Sequence, residues 1–371
     1  MKCEKVWIVA ILLLGLYGCG AGVCTARAQA MNVELGTFGA KGDGIADDTA
    51  SLQTALNSLK SGQVLHIPAG TYKVTQIIVP ANAAMLGDDG AIILGGENGG
   101  GIFNIASDHV TMTNLIIDGA MKRKTAVKND NANYTTLEKC EIRNTMGDMT
   151  MGSWAILVKG GSNISIANCS FHDISGPENG IGGDNIGANR AVFAWNVKSM
   201  SILNSIFTKI SGFEDGDGIH ITGDNGWISD VTIQGCTFSD FYKRAVKVQA
   251  SGVKIINNTM TANPATANSP EHKQFQAAIS IFAKNTRVEG NKITLYHSFQ
   301  GIGVEGIDCK IIGNTIVVDK TGSNYNTAGI YVSAAGSGAT ITGNTVKNIP
   351  APNGIDFRSA TNVNATNNIV Q

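Results

Sequence analysis

The stretch that decides the fold runs from Glu214 to Gln249 and reads EDGDGIHITGDNGWISDVTIQGCTFSDFYKRAVKVQ. It contains one pattern twice, first as Asp217–Thr222 and then, about one repeat later, as Arg244–Gln249. In each copy apolar and polar residues alternate, as they do along a strand whose side chains point to opposite faces. The stretch therefore predicts two similar strands that stack on each other.

The same pattern, a small residue followed by alternating apolar positions, returns through most of the chain. Its other copies are Trp154–Lys159, Arg190–Trp195, Ala277–Phe282, Gln300–Glu305, Ala328–Ser333 and Asn353–Arg358. A second motif alternates with it and places apolar residues on both sides of a pair of small polar residues. Its copies are Ile166–Phe171, Ile202–Phe207, Ile233–Phe238, Ile255–Met260, Val288–Ile293, Ile311–Ile316, Ile341–Val346 and Ala365–Val370, with weaker ones at Met112–Ile117 and Leu137–Ile142.

Two columns of strands that recur at a roughly fixed period, with no helices between them, are typical of a solenoid. The repeat therefore predicts an all-β fold, a parallel β-helix of about ten or more coils in which each coil buries its apolar face on the next. A β-sandwich or a propeller is the alternative, but hairpin turns at the spacing of a sandwich are not evident.

One column of the second motif consists of small residues that fall at the same turn of each coil. Stacked in this way, their side chains are expected to hydrogen-bond to neighbouring coils as an internal ladder. This column contains three of the four cysteines that follow the leader, and none of the four, Cys309 included, has CxxC spacing, which favours a role in the core or the turn over disulfides, nucleophiles or metal ligands. The column is Cys140, Cys169, Ser205, Cys236, Asn258, Asn291, Asn314, Asn344 and Asn368.

Composition limits the possible partners. The chain has 371 residues, of which 15% are charged, with a net charge of −1. Because nucleic-acid binding needs a basic surface, this balance argues against nucleic acid as a partner. The 45 glycines suit short strands joined by tight turns.

The N-terminus has the features of a leader for export. Lys2 and Lys5 precede an apolar run over Val6–Leu16, and Ala28-Gln29-Ala30 offers a cleavage site. We expect a signal peptide over residues 1–30 and an exported chain, periplasmic or secreted, with a single domain over 31–371. Lipid attachment at Cys19 is an alternative, because Leu16–Cys19 loosely resembles a lipobox. No other stretch is long and apolar enough to cross a membrane.

Residues 31–75 are predicted to form an N-terminal cap module. Asp47-Asp48-Thr49 supplies helix-capping side chains, and apolar residues from Leu52 to Leu59 follow on one helical face. This helix is well placed to cover the open end of the solenoid, which natural proteins protect. Two segments that interrupt the repeat, Ser175–Asn189 and Ala262–Lys273, are expected to project from it.

The segment Phe38–Val74, which begins FGAKGDGIADDT and ends IPAGTYKV, resembles the opening of the pectate-lyase-like superfamily of right-handed parallel β-helices. The resemblance implies a right-handed solenoid and action on a polysaccharide. Members of the superfamily include pectate lyases, polygalacturonase-like hydrolases, mannuronan C5-epimerases and phage tailspikes. The opening is specific for the fold and carries little information about the reaction, since one fold supports many chemistries.

The stacked strands bring a group of charged side chains to one outward face. A lyase that removes the proton next to a uronate carboxylate needs a base and a positive charge on that carboxylate. We expect Lys247 or His220 to be the base and Arg244 to neutralise the carboxylate. The acidic residues of the preceding loop are predicted to act as acid partners or to bind Ca²⁺ as a possible cofactor: Glu214, Asp215 and Asp217.

A second group of side chains is expected to bind the sugar chain beside these residues, through stacking of aromatic rings and through polar contacts. It consists of Arg190, Trp154, Trp195, Lys243 and Gln249. The chain is thus predicted to be a lyase that cleaves a uronate-containing polysaccharide by β-elimination.

Two other functions stay open. A glycoside hydrolase would use Asp215 and Asp217, and Arg244–Lys247 looks like the Arg-x-Lys element of polygalacturonase-like enzymes. However, a separate Asp-Asp coil and a later Gly-His-Gly coil are missing, as is the Asp-Pro-His element of the epimerases. The third possibility is a surface protein that binds glycans without turnover.

Overall fold

The structure, a computed structural model of the 371-residue chain, describes residues 32–97, 101–148, 152–176, 188–211, 216–223, 229–241, 243–262, 276–295, 299–318, 328–349 and 352–371. The expected leader at 1–30, the acidic residues Glu214 and Asp215, and most of both interrupting segments lie outside these ranges. The domain boundaries and the site of cleavage or lipid attachment therefore stay predictions. In the described residues no helix is long and apolar enough to cross a membrane.

Three parallel sheets form the described part of the chain, and from Val64 onward the chain visits the first, second and third sheet in that order in each coil. The first sheet has 13 strands: Asn32–Glu34, Val64–Ile67, Ala84–Gly87, Val110–Thr113, Thr135–Glu138, Ser162–Ala167, Lys198–Leu203, Ser229–Gln234, Lys254–Ile256, Arg287–Glu289, Lys310–Ile312, Thr340–Thr342 and Asn364–Thr366. The second also has 13: Asp43–Asp47, Gly70–Val74, Ala91–Gly95, Ile116–Arg123, Glu141–Met146, Ser170–Ser175, Ile206–Ile210, Thr237–Phe241, Thr259–Ala262, Lys292–Leu295, Thr315–Val318, Thr345–Lys347 and Ile369–Val370. The third has 11: Ile77–Val79, Gly101–Ile105, Thr125–Asp130, Trp154–Lys159, Arg190–Trp195, Asp217–Thr222, Arg244–Gln249, Gln276–Ile281, Phe299–Val304, Ala328–Val332 and Ile355–Asp356.

These sheets wind into a right-handed parallel β-helix, which confirms the predicted fold class. The sequence motifs predicted two columns of strands, whereas the structure has three sheets. The difference arises because each copy of the second motif forms two strands joined by a sharp turn. Asn168, Asn204 and Asn257 make that turn with φ of 54°, 48° and 53°. Asparagine tolerates this left-handed backbone better than most residues, which explains why it recurs there.

The asparagine ladder predicted from the sequence is present. At its centre, the Asn291 side chain accepts hydrogen bonds from the backbone N–H and the Nδ2 of Asn258, both at 2.9 Å. The Nδ2 of Asn291 donates to Asn314 Oδ1 and to Ile255 O, each at 2.9 Å. The same bonds continue through Asn344 to Asn368. Each buried amide is thus satisfied by the coils above and below it, which fixes the register of the coils.

Asn291→Ala is expected to lower the free energy of unfolding by about 3 kcal/mol, because buried partners on two neighbouring coils lose their hydrogen bonds. Chemical denaturation followed by circular dichroism measures this change. The matched variant is Asn368→Ala in the last, partly buried rung, which should cost clearly less. Equal losses at the two positions would show that the ladder does not act as a set of buried bonds.

The four cysteines of the described residues are free and buried. Each thiol points to backbone carbonyls of the turn, as at Cys236, whose Sγ lies 3.5 Å from Gln234 O and 3.6 Å from Ile202 O. Burial raises the pKa of the Cys236 and Cys309 thiols to about 11. Such thiols stay protonated near neutral pH and are poor nucleophiles, in agreement with the predicted role in the core.

The N-terminal helix spans Thr49–Ser58 and buries Leu52, Ala55 and Leu56. It lies against the first strand of the third sheet, where the Gln53 amide bonds to both the N–H and the C=O of Ile78 at 2.8 Å. The helix therefore covers the first coil, as predicted. Short 3₁₀ helices occur at Leu35–Phe38 and Ala334–Gly336.

The predicted capping aspartates fasten the preceding loop to this helix. Asp47 Oδ1 accepts a hydrogen bond from Thr49 N at 2.9 Å. The carboxylate of Asp48 instead accepts from Lys41 N at 2.7 Å and Gly42 N at 3.0 Å. Gly42 has a φ of +61°, and a Cβ there would meet the Tyr72 ring at 2.9 Å. These contacts explain the Gly-Asp-Gly and Asp-Asp-Thr elements of the opening sequence.

A titratable cluster joins the first three coils. His66 Nδ1 lies 2.7 Å from Glu34 Oε2, and its Nε2 lies 2.8 Å from Asp88 Oδ1. Partial burial alone would lower the pKa of His66, but the hydrogen bonds and charges of Asp88 and Glu34 outweigh it and raise the pKa above its usual value.

The His66 cluster predicts a pH dependence of stability. A raised pKa in the folded chain gives stabilisation that is complete below the unfolded value of about 6.5 and is lost as the pH rises through the folded value. We expect a loss of about 0.5 kcal/mol, since the cluster is partly solvated. Unfolding measured from pH 5 to pH 9 should show this loss in the wild-type chain and not in His66→Gln. An unchanged pH dependence in the variant would contradict it.

Candidate active site

Parallel, in-register pairing builds the site by bringing equivalent residues of successive coils side by side, about 4.8 Å apart. On the third sheet we define three rows of side chains. The first row contains Trp154, Arg190, Asp217 and Arg244, the second Leu157, Phe193, His220, Lys247 and Ser280, and the third Lys159, Trp195, Thr222 and Gln249.

Small residues occupy the position after each first-row residue. Ala191 and Ala245 belong to the core, and a Cβ on Gly218 would meet the core ring of Phe238 at 2.9 Å. The first-row side chains of Arg190, Asp217 and Arg244 are buried next to these small residues. The Arg190 guanidinium lies 5.0 Å from the centre of the Phe193 ring. Larger residues in this position would disturb both the core and the first row.

Asp217 lies between two arginines at the centre of the first row. Its Oδ1 lies 3.2 Å from Arg244 Nη1, and its Oδ2 lies 3.8 Å from Arg190 Nε. The Asp217 side chain is fully buried, and those of Arg190 and Arg244 are only 5% and 10% exposed. The carboxylate thus accepts a hydrogen bond from Arg244 and makes a longer ion pair with Arg190, and the three side chains together carry a net positive charge.

Arg244 and His220 are also held by neutral polar side chains. Arg244 Nε donates a hydrogen bond to Ser280 Oγ at 3.2 Å. His220 Nε2 lies 2.7 Å from Gln249 Oε1, and the imidazole centre lies 5.1 Å from that of the Phe193 ring. Both His220 and Arg244 are buried. The site therefore has fixed geometry, as a reaction centre requires.

Lys247 is the most accessible cation of the second row. It is paired in register with His220 on one side and with Ser280 on the other, and its side chain is partly exposed. Lys243, one residue before the strand, is buried, and its backbone N–H bonds to Gly216 O at 3.2 Å. Lys247 is thus the cation of the second row that solvent reaches.

Aromatic side chains flank this centre. The Trp154 and Phe193 rings are stacked with their centres 5.9 Å apart. Trp195 is 41% exposed at the edge of the third row. An exposed ring beside buried cations can stack on the apolar face of a sugar.

The structure brings Trp154, Arg190, Asp217, His220, Arg244, Lys247 and Gln249 together, whereas Trp195 joins them only through the strand register and Lys243 lies outside the three rows. It also adds two residues that the sequence reasoning missed. Phe193 links Trp154, Arg190 and His220 through ring contacts. Ser280 anchors Arg244 from the following coil. Alignment of the motif copies places both residues in the second row, but a Phe and a Ser carry no charge signal that marks a site.

The surroundings of Asp217 do not fit the predicted Ca²⁺ site. Both of its carboxylate oxygens face arginine cations, and a divalent cation placed there would be repelled by them. Glu214 and Asp215 lie outside the described residues. Among the residues that are described, no group of three His, Cys, Asp or Glu side chains is placed to hold a metal ion.

Comparison with known proteins identifies partial relatives with activity on polysaccharides. Over 71 residues the chain is 34% identical to mannuronan C5-epimerase AlgE4 of Azotobacter vinelandii. The matched region is 19% of this chain and 13% of that protein. Over 151 residues it is 30% identical to depolymerase 1, capsule K30/K69-specific, of Klebsiella phage K5-2. The matched region is 38% of this chain and 17% of that protein. The chain thus matches well under a fifth of the length of each relative.

A solved structure supports the fold over nearly the whole chain. The surface protein and adhesin PfbA of Streptococcus pneumoniae superimposes on this chain with a TM-score of 0.67 and a sequence identity of 15%. The superposition covers 92% of this chain and 97% of the PfbA chain. Residues 190–370 match the model of a right-handed β-helix region. Residues 30–268, well over half of the chain, match the model described as rhamnogalacturonase A/epimerase, pectate lyase-like. The resemblance seen in the opening sequence is confirmed, and the chain belongs to the rhamnogalacturonase A/epimerase, pectate lyase-like family.

Proposed function

We propose that this chain is an exported polysaccharide lyase that cleaves a uronate-containing polymer by β-elimination. The observation that carries the proposal is the row in which Arg190 and Arg244 share the buried Asp217, with Lys247 and His220 in the row beside it. Fixed positive charge next to a candidate base is what removal of a proton beside a carboxylate requires.

The reaction balances as an elimination. The base takes the proton from C5 of a uronate, the C5–H electron pair forms a C4=C5 double bond, and the C4–O4 bond breaks. The O4 oxygen of the leaving sugar receives a proton, so no water is consumed. Positive charge stabilises the carboxylate as negative charge builds on it in the transition state.

Lys247 is the better candidate for the base, and Arg244 for the residue that stabilises the carboxylate. Lys247 is partly exposed at the centre of the row, whereas His220 is buried and held by Gln249. Arg244 is fixed by Asp217 and Ser280, so it keeps its position while charge develops. A preorganised cation stabilises the transition state more than a mobile one.

The hydrolase alternative is weaker because of the position of Asp217. An acid or base of a glycosidase must contact the glycosidic oxygen or a water, and Asp217 is fully buried between two arginines. Asp215, its partner in that scheme, lies outside the described residues.

Glycan binding without turnover is the second candidate function. The exposed ring of Trp195 favours it, because this ring is available for stacking whether or not any proton moves. The similarity in fold to an adhesin is compatible with it. In that case Lys247→Ala and Arg244→Ala would retain full glycan binding, and neither the variants nor the wild-type chain would show turnover.

An acidic polymer is the proposed substrate class. The charges of the described site are mainly positive, and one relative is named as an epimerase that acts on mannuronan, a polyuronate. The other relative is named as a depolymerase of a capsule. Export through the N-terminal leader would place the chain where such polymers occur.

Mass spectrometry of products from mannuronan and polygalacturonate tests the proposal. A lyase gives fragments lighter by one water than hydrolysis products, since the new end is an unsaturated uronate. Fragments that carry the added water would move the assignment to hydrolysis. Intact polymer, with binding detected, would favour the glycan-binding candidate.

A further inference from the structure

The contact between His220 and Gln249 indicates which imidazole nitrogen of His220 carries a proton. His220 Nε2 and Gln249 Oε1 are 2.7 Å apart, a short hydrogen bond. The Oε1 of an amide can only accept, so the imidazole must donate through Nε2. A neutral imidazole carries one N–H, and the Nδ1 of His220 is therefore its basic nitrogen.

Gln249 contacts His220 although the two residues are not opposite each other in the strand register. Along the sheet Gln249 is in register with Thr222, whereas the residue opposite His220 is Lys247. The exposed side chain of Gln249 therefore reaches diagonally back across the coil to the buried imidazole. On the other side the imidazole contacts the Phe193 ring, with an angle of 51° between the planes. The imidazole is thus held from two sides.

Charged side chains lie around the imidazole. Of the described side chains, Lys247 is opposite His220 on the next coil, and Arg190 leans over Phe193 on the preceding coil. Arg244 and Asp217 pair in the first row of the same strands.

We propose that Gln249 is a positioning residue that holds His220 with a proton on Nε2, so that His220 donates a hydrogen bond beside Lys247. This inference rests on the proposed function only for its consequence: because Nε2 is bonded to Gln249 and Nδ1 is buried, proton removal falls to Lys247. The tautomer itself does not depend on turnover.

NMR of the whole chain labelled with ¹⁵N-histidine tests the tautomer directly. The His220 signals are assigned by their loss in His220→Gln. We expect the Nε2–H pattern in the wild-type chain, a mixture of tautomers in Gln249→Leu, and recovery of the pattern in Gln249→Glu, whose carboxylate oxygen can accept the same hydrogen bond. The matched control is Gln234→Leu, an exposed glutamine of the first sheet, which should leave the spectrum unchanged.

The same variants are assayed on mannuronan and polygalacturonate. Gln249→Leu is expected to lower kcat/KM about tenfold, and Gln249→Glu to shift its pH profile, which a merely structural role would not move. An Nδ1–H pattern in the wild-type chain, or an unchanged pattern in Gln249→Leu, would overturn the inference. A wild-type chain with the Nε2–H pattern and no elimination on any polymer would contradict the lyase proposal and leave the positioning role of Gln249 supported.

Discussion

Lys247→Ala is expected to lower kcat for β-elimination by about 10²- to 10⁴-fold, the usual contribution of a general base. The fold should persist, because the Lys247 side chain is partly exposed and its neighbours in the row are held by other contacts. The affinity for the polymer should fall much less than kcat, since Arg190, Arg244 and the aromatic rings remain. The rate of formation of unsaturated product measures the effect.

Lys254→Ala is the matched control for this prediction. Lys254 is an exposed lysine of the first sheet, at 3.1 Å from Asp230, and lies away from the three rows. Its loss should leave kcat unchanged. If Lys247→Ala keeps more than a tenth of the wild-type kcat, Lys247 is not the base, and His220 becomes the candidate to test.

Asp217→Ala is expected to lower the free energy of unfolding by about 3–5 kcal/mol, because it leaves two buried arginines without their shared carboxylate. The side chains concerned are between 0% and 10% exposed, so water cannot replace the lost partner. Activity should fall as well, since Arg244 loses its hydrogen bond to Asp217. Denaturant titration gives the stability, and near-ultraviolet circular dichroism reports the environment of Trp154 and Trp195.

Asp230→Ala provides the comparison for Asp217. It removes the exposed pair with Lys254, in which the side chains are 46% and 66% exposed, and should cost less than about 1 kcal/mol. A loss at Asp217 as small as that at Asp230 would show that the two arginines are not held by this carboxylate. It would also weaken the proposed role of Arg244.

Much of the fold could be predicted from the sequence because the same pattern of strands and turns recurs in successive coils of a solenoid. The column from Cys140 to Asn368 predicted the ladder, since residues that recur at one turn must stack. The alternation in Asp217–Thr222 and Arg244–Gln249 predicted strands of one sheet. The number of sheets could not be counted in the same way, because a single left-handed residue such as Asn204 bends the chain between two strands without interrupting the apolar pattern.

The sequence predicted which residues lie side by side in the site, but it did not predict their burial or all of their contacts. Alignment of motif copies placed Arg190, Asp217 and Arg244 side by side, as the structure has them. The burial of Asp217 was missed, because charge in a sequence usually indicates exposure, whereas here Asp217 lies between two arginines that are themselves almost completely buried. The hydrogen bond between His220 and Gln249 crosses the register diagonally, which no alignment of strands indicates.

The most direct test of the lyase proposal is absorbance at about 235 nm while the chain is incubated with mannuronan and with polygalacturonate. Parallel samples contain Ca²⁺ or a chelator, and reducing ends are measured at each time point. We predict a rise in absorbance that matches the new reducing ends, is lost in Lys247→Ala and persists with the chelator. New reducing ends without any absorbance would contradict elimination and establish hydrolysis in its place.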